Sequence, residues 1–376
     1  MLKTIFSCFF SSALVLGSPI LSHGQACKDR PETSVRISFT GDILVHKVLF
    51  EYATRSSERF TTLWKGALSP LKSADFTVGN LEGAVAPGRS SAGATKDPGF
   101  VHDGSVYSGT NFLFNYHPYL LDDLKSSGFD FLTTSNNHSY DRGSQGIDRT
   151  IQEIQKRNLF FAGTRSKADA TSASVPGLNS FADSFLISLN IKGIRFGFIA
   201  CAEMLNGFRD THSQVLACAS AQVLELIKLS ANKNEVTLVL PHWGYEYQPT
   251  ANAQQRSWTK KWFNAGATAV IGNHPHVLQN IETQEWKSNN AKIVIYSLGN
   301  FVAGQRDIRR RTSAIANLDF VRGADGVVSL KQFSYTPILR PSGSYSVRIA
   351  DASKDKAEWK IITEQLGPAL CNPAQP

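Results

Sequence analysis

The run SVRISFT at residues 34–40 is followed without a break by GDILVH at residues 41–46. The first reads as a buried β-strand, and Asp42 and His46 come directly after it. The same arrangement, an apolar strand that stops at a polar cluster, recurs five times. Residues 75–78 lead into GNLEG (79–83), 129–134 into SNNHSYDRG (135–143), and 236–240 into PHWGYEY (241–247). Residues 268–271 lead into GNHPH (272–276), and 292–296 into SLGNF (297–301). In open α/β sheets the carboxyl ends of strands gather on one side, so six such loops can converge on one pocket.

Outward from these strands, helical periodicity covers residues 117–126, 146–157 and 221–229, with a mixed pattern over 45–68. Residues 86–110 are rich in Gly, Ser and Pro and read as a long surface loop. Lys192-Gly193 marks a hairpin turn between two apolar runs. Strands at 314–320, 327–337 and 345–349 and a helix at 354–366 complete the chain. Alternation of strands and helices followed by a strand-rich tail predicts an α/β fold of packed sheets with helices outside, one compact domain over residues 27–376.

The 376 residues are 42% hydrophobic and 19% charged, which suits a globular protein and excludes a disordered or collagen-like chain. The net charge is +8, and +7 once residues 1–26, whose one charge is Lys3, are set aside. Basic residues are scattered and no zinc-finger spacing occurs, which argues against nucleic acid as a partner. Residues 1–26 read as a signal peptide: Lys3, an apolar run, Gly17 and Pro19, then small residues at Gly24 and Ala26. The apolar run is shorter than the ~20 residues of a spanning helix, and no other segment reaches that length. The expectation is an exported chain, periplasmic or extracellular, with lipid attachment at Cys27 as an alternative. Four cysteines would remain, with Cys201–Cys218 and Cys27–Cys371 as the favoured pairs and four free thiols as the alternative.

Five of the nine histidines (His46, His138, His242, His274 and His276) lie in the six clusters. Imidazole with carboxylate and amide oxygens is the chemistry of a metal centre. Asp42, Glu82, Asn137, His242, His274 and His276 fit two divalent ions sharing one carboxylate. Each residue also has a plainer reading. Asp42 could cap a helix, Glu82 and Asn137 could be turn residues, and His242 a satisfied core histidine. His274 and His276, two apart on extended backbone, would point the same way.

Taken in order, GDILVH, NLEG, NNHSYDRG, HWGYEY, GNHPHV and SLGNF resemble the CapA-type poly-γ-glutamate/capsule synthesis family, over roughly residues 35–320. That family is similar to the calcineurin-like metallophosphatases, which implies a four-layer αββα sandwich. It also implies a role in making or exporting an anionic capsule polymer, with poly-γ-glutamate or its precursor, and capsule synthesis machinery, as partners. By this resemblance Asp42 and His46 match the first metal motif and Glu82 the bridging carboxylate. Asn137 matches the amide ligand, and His242, His274 and His276 the remaining ligands. His138 matches the acid that protonates a leaving group. Ordinary phosphatases keep one residue between the first Asp and His and use Asp as the bridge. Here three residues intervene and the bridge is Glu82, as in the capsule family's own pattern.

The resulting expectation is metal-assisted hydrolysis of an amide or phosphoester. His138 would be the general acid, oriented by Asp141, and Arg142 would meet substrate charge. A local Asp141–Arg142 surface ion pair is the alternative. Glu246 would orient His242 or face water, and Trp243, Tyr245 and Tyr247 would pack. The run Arg306–Arg311 would face solvent or border the pocket. The rival class is a non-catalytic component that binds or guides polymer through the same cleft.

Overall fold

The computed structural model describes residues 33–109, 112–171, 185–285 and 288–367. The signal-peptide reading, Cys27 and Cys371 lie outside the described residues. The strands are β1 (Val35–Leu44), β2 (Phe76–Leu81), β3 (Arg89–Ser90), β4 (Gly93–Ala94), β5 (Phe131–Thr133), β6 (Phe160–Ala162), β7 (Ile187–Ile191) and β8 (Ile194–Ala202). They continue with β9 (Val236–His242), β10 (Ala269–Ile271), β11 (Ile281–Gln284), β12 (Lys292–Ile295), β13 (Asn300–Ala303), β14 (Thr312–Arg322), β15 (Val328–Leu339) and β16 (Arg348–Ile349).

Among the described residues, one sheet of eight strands has the order β16-β15-β14-β1-β2-β5-β6, with β13 also on β1. A second sheet of six strands has the order β11-β12-β10-β9-β8-β7. The first is antiparallel from β16 to β1 and parallel from β1 to β6, and the second is parallel in its middle with an antiparallel strand at each edge. At the turn from β7 to β8, Lys192 and Gly193 both have positive φ (46° and 86°), the geometry that matches the twist of a tight hairpin.

Side-chain alternation along the strands divides the core. Phe39, Phe76 and Phe131 of the first sheet meet Phe196 and Phe198 of the second, and Phe131 stacks on Phe198 at 4.6 Å. On the outer face of the first sheet, Ile43, Leu81 and Leu132 pack against helices Lys47–Thr54, Leu68–Lys72 and Tyr119–Ser126. On the outer face of the second, Val239, Val270 and Val294 pack against helices Ala221–Lys233 and Ala253–Ala265. The layers are therefore helix, sheet, sheet, helix. At the edge of the inner layer, Arg36 and Asp319 face each other across β1 and β14 in a buried two-pronged pair of 2.8 and 2.7 Å.

Three local expectations change. β1 runs on to Leu44, because β13 and β2 pair with its second half, so Asp42 lies inside a strand and caps no helix. β2 likewise extends through Leu81, and β9 ends on His242 itself. The segment 86–110 is not all surface. Asn115 ties the main chain at Ala86, Arg89 and Val106, and Val106 and Tyr107 are buried.

Cys201 in β8 is bonded to Cys218, closing the loop that carries residues 202–217. Peptide mapping without reductant should recover these two cysteines in one linked fragment. Replacing both with Ser should lower unfolding stability by about 3 kcal/mol, the chain-entropy value for a loop of this size. A midpoint unchanged in denaturant would deny the bond that role.

Candidate metal centre

The site is assembled where the parallel strands of both sheets end. Asp42 sits in β1 between Asn300 of β13 and Asn80 of β2, at an irregularity of the register on either side of it. Such irregularities re-aim a side chain. Glu82 follows β2, and Asn137 and His138 lie on the turn after β5. His242 closes β9, and His274 and His276 follow β10. The backbone here is packed too tightly for side chains at two positions. A Cβ on Gly41 would lie 2.0 Å from the carbonyl oxygen of Gly299, and one on Gly272 would lie 2.1 Å from that of Tyr296.

Of the seven residues expected to hold metal, Asp42, Glu82, Asn137, His242, His274 and His276 are brought together and buried, and His46 stands apart from them. Asp42 Oδ2 is 3.0 Å from His276 Nδ1, and its Oδ1 accepts a hydrogen bond of 2.8 Å from Asn80. Glu82 Oε1 lies 3.6 Å from His242 Nε2 and 3.7 Å from His276 Nε2. His242 Nε2 is also 2.8 Å from Asn137 Oδ1 and 3.1 Å from His274 Nδ1. His274 and His276 do not reach this place on extended backbone. Their φ angles are 100° and 57°, so a tight left-handed turn, rather than strand alternation, aims both rings inward.

Glu82 provides the test of fit for a cation. Its carboxylate has no solvent exposure, and neither oxygen has a hydrogen-bond donor among the described residues. A dry carboxylate without donors is costly unless it binds a proton or a cation. Two groups of ligand atoms share it: Glu82 with His242 and His274, and Asp42 and Glu82 with His276, each spanning no more than 4.8 Å. Mixed nitrogen and oxygen donors suit divalent ions of the first transition row.

The electrostatics express the same crowding. Burial, then the Asp42 charge, pushes the Glu82 carboxyl well above its usual range. Burial lowers His242 and His274, with neighbouring imidazoles adding to it, the latter to about 4. Burial would lower His276 too, but the Glu82 and Asp42 carboxylates outweigh it and hold its ring up at about 9.

Above the cluster lies a cavity of about 480 Å³. His138 stands on its wall, with Nδ1 2.8 Å from Asp141 and Nε2 4.0 Å from Glu82. Asp141 is held in turn by the Phe114 N–H at 2.6 Å. His46 also lines the cavity but joins neither ligand group. It stands edge-on to Phe114, and Gly304 donates its N–H to Nδ1 at 3.1 Å.

Arg142 differs from both of its expected roles. It is buried, and its guanidinium donates to Ser108 Oγ and to the carbonyls of Asp141, Ser105, Val106 and Leu113. The loop folded over it supplies acceptors that would otherwise be stranded, so Arg142 binds its own chain. Glu246 is exposed on the lining of the cavity, and its charge acts on His276. Trp243 packs as expected, stacked on Trp262 at 5.2 Å, but Tyr245 is exposed and Tyr247 lies beneath Arg310.

Three asparagines add to the site. Asn80 bonds Asp42 and accepts from Thr133, and Asn300 lies 3.0 Å from His276 Nδ1. Both stand inside the strand-end motifs, directly after a glycine, which was the signal for them. Asn206 reaches Asn137 at 3.2 Å from the disulfide-closed loop, and no strand-end motif marks it.

The family described as bacterial capsule synthesis protein PGA_cap matches residues 36–305. A PGA biosynthesis protein CapA of Bacillus subtilis (strain 168) is 28% identical over 338 residues, which is 88% of this chain and 77% of that protein. A capsule biosynthesis protein CapA of Bacillus anthracis is 24% identical over 297 residues, 77% of this chain and 64% of that protein, so the chain spans less than two thirds of this relative. Among solved structures, the NAD nucleotidase of Haemophilus influenzae is similar at a TM-score of 0.44 and 10% identity, covering 90% of this chain and 64% of that one. The chain belongs to the bacterial capsule synthesis protein PGA_cap family.

Proposed function

We propose that this protein is exported and acts as a metal-dependent hydrolase on an amide or phosphoester of an anionic capsule polymer, such as poly-γ-glutamate, or its precursor. The observation that carries this reading is the buried Glu82 carboxylate, without a donor among the described residues and shared by two ligand groups. Glu82, His242 and His274, with Asn137 beside them, would hold one divalent ion, and Asp42, Glu82 and His276 a second. Bound there, such ions activate a water and stabilise a leaving oxygen. His138 would donate a proton to the leaving group from Nε2, while Asp141 fixes its Nδ1. Asn80 and Asn300 orient Asp42 and His276. No helix among the described residues is long and apolar enough to cross a membrane.

The second reading is a component that binds or guides polymer without cleaving it. Arg310, laid over the Tyr247 ring at 3.5 Å beside the cavity, favours it, since that pair can hold an anionic chain without chemistry. Elemental analysis and a hydrolase screen separate the two. The hydrolase reading expects two divalent ions per chain and cleavage of a γ-glutamyl amide or phosphoester that chelation abolishes. A chain that takes up no divalent ion would overturn it.

In Glu82→Gln, the rise in melting temperature on adding metal should vanish. A metal-induced rise equal to the parent's would remove Glu82 from the centre.

Metal uptake should also release protons. The His276 ring, held at about 9, is protonated at pH 7 and must lose that proton to ligate. Affinity should therefore climb as pH rises toward 9. Calorimetry at pH 7 in two buffers of different ionisation enthalpy checks this, and identical heats in both would count against it.

A further inference from the structure

A second, smaller cavity of about 260 Å³ lies beside the metal cavity, lined by Val48, Gly304, Arg306, Arg311, Arg340 and Tyr345. The two are neighbours through one stretch of chain. Gln305 lines the metal cavity, and the residues on either side of it, Gly304 and Arg306, line the smaller one.

Three guanidinium groups share this concavity. Arg340 is nearly buried and is fixed by the carbonyls of Ala303, Gln305 and Ser344. Arg311 is fixed by the carbonyls of Arg306 and Arg340. The one carboxylate within ion-pair reach of the three, among the described residues, is Glu358, at 3.5 Å from Arg311. Arg306 is exposed at the lip, with no side-chain hydrogen bond or ion pair to a described residue. The strain of like charges shows on Arg340, which burial, then Arg311 and Arg306, pushes below the ordinary guanidinium range. All three arginines follow residue 305, where the match to the family ends.

An arginine run that only faces water has no reason to turn inward around a cavity. Guanidinium groups held rigidly by main-chain carbonyls and left in charge excess form a preorganised anion cradle. We propose that this pocket is a second anion subsite, which holds one carboxylate or phosphate of a repeating polyanion while a neighbouring unit lies over the Glu82 cluster. The proposal rests on the reading of the substrate as an anionic polymer, and it adds a place for a unit that is not being cleaved.

The test is binding of a γ-linked glutamate hexamer and, separately, of inorganic tripolyphosphate to the full exported chain. Arg306→Ala should weaken binding of at least one probe about fivefold, and Arg306→Glu more, as expected for one exposed charge contact. Arg309→Ala, outside the pocket, should change it less than about twofold, within the scatter of exposed pairs. Arg306 makes no side-chain bond to a described residue, so neither of its variants threatens folding. The probe that responds identifies the anion: carboxylate, phosphate, or charge alone if both do. If both Arg306 variants bind both probes like the parent, or if Arg309→Ala weakens binding as much as Arg306→Ala, the subsite does not exist. His274→Ala separates the two readings. Arg306-dependent binding that survives in it, with hydrolysis lost, supports both. The same binding in a protein that never hydrolyses anything keeps the subsite and sinks the hydrolase. Binding that needs His274 and ignores Arg306 does the reverse.

Discussion

Keeping a carboxylate at Glu82 dry, with no donor among the described residues, constrains the whole strand-end region. Neutral core packing would reject it, since burying an unpaired charge costs several kcal/mol. The surrounding residues are arranged to need something between them. Asp42 adds a second negative group, His242, His274 and His276 supply nitrogen, and the polar neighbours serve those ligands rather than Glu82. Holding such a set requires a rigid frame. The two sheets provide it by packing face to face, with both outer faces covered by helices.

The strand-end clusters are legible in the sequence because parallel strands buried on both faces read as apolar runs, and the polar residues after them stand out. Where neighbouring chain takes over, that legibility stops. Nothing in GDILVH announces that β13, more than 250 residues later, pairs with β1 and prolongs it past Asp42. His274 and His276 come close together, but by a left-handed turn rather than by strand alternation, because positive φ at histidine has no sequence signature. Arg142 looked like a substrate contact because its acceptors are main-chain carbonyls of a distant loop, which composition does not reveal. Helix Ala253–Ala265 escaped because its buried face is narrow. Its sign was the capping box of Asn252 and Gln255, a local signal independent of periodicity.

Membership of the capsule family and the metal-type cluster lie on one part of the chain, residues 36–305. The remainder, β14, β15, β16 and helix Lys356–Leu366, finishes the first sheet and closes the inter-sheet core with Ile362 and Leu366. It also sets Arg311 and Arg340 beside Gly304. The tail thus supports the frame and shapes the approach to the cluster at the same time.

The contacts at Gly41 and Gly272 bear on how this protein varies over evolutionary time. Each glycine lies one or two residues before a ligand, at a point where another segment's main chain passes too close for any Cβ. Even alanine there would have to push two chain segments apart, and the ligands ride on those segments. Drift toward other chemistry is then easier through the ligand side chains, which point into the cluster, than through these glycines. A descendant that had lost the metal-type cluster would keep the glycines long after losing the histidines. In this fold the glycines record the architecture, and the acids and imidazoles record its current use.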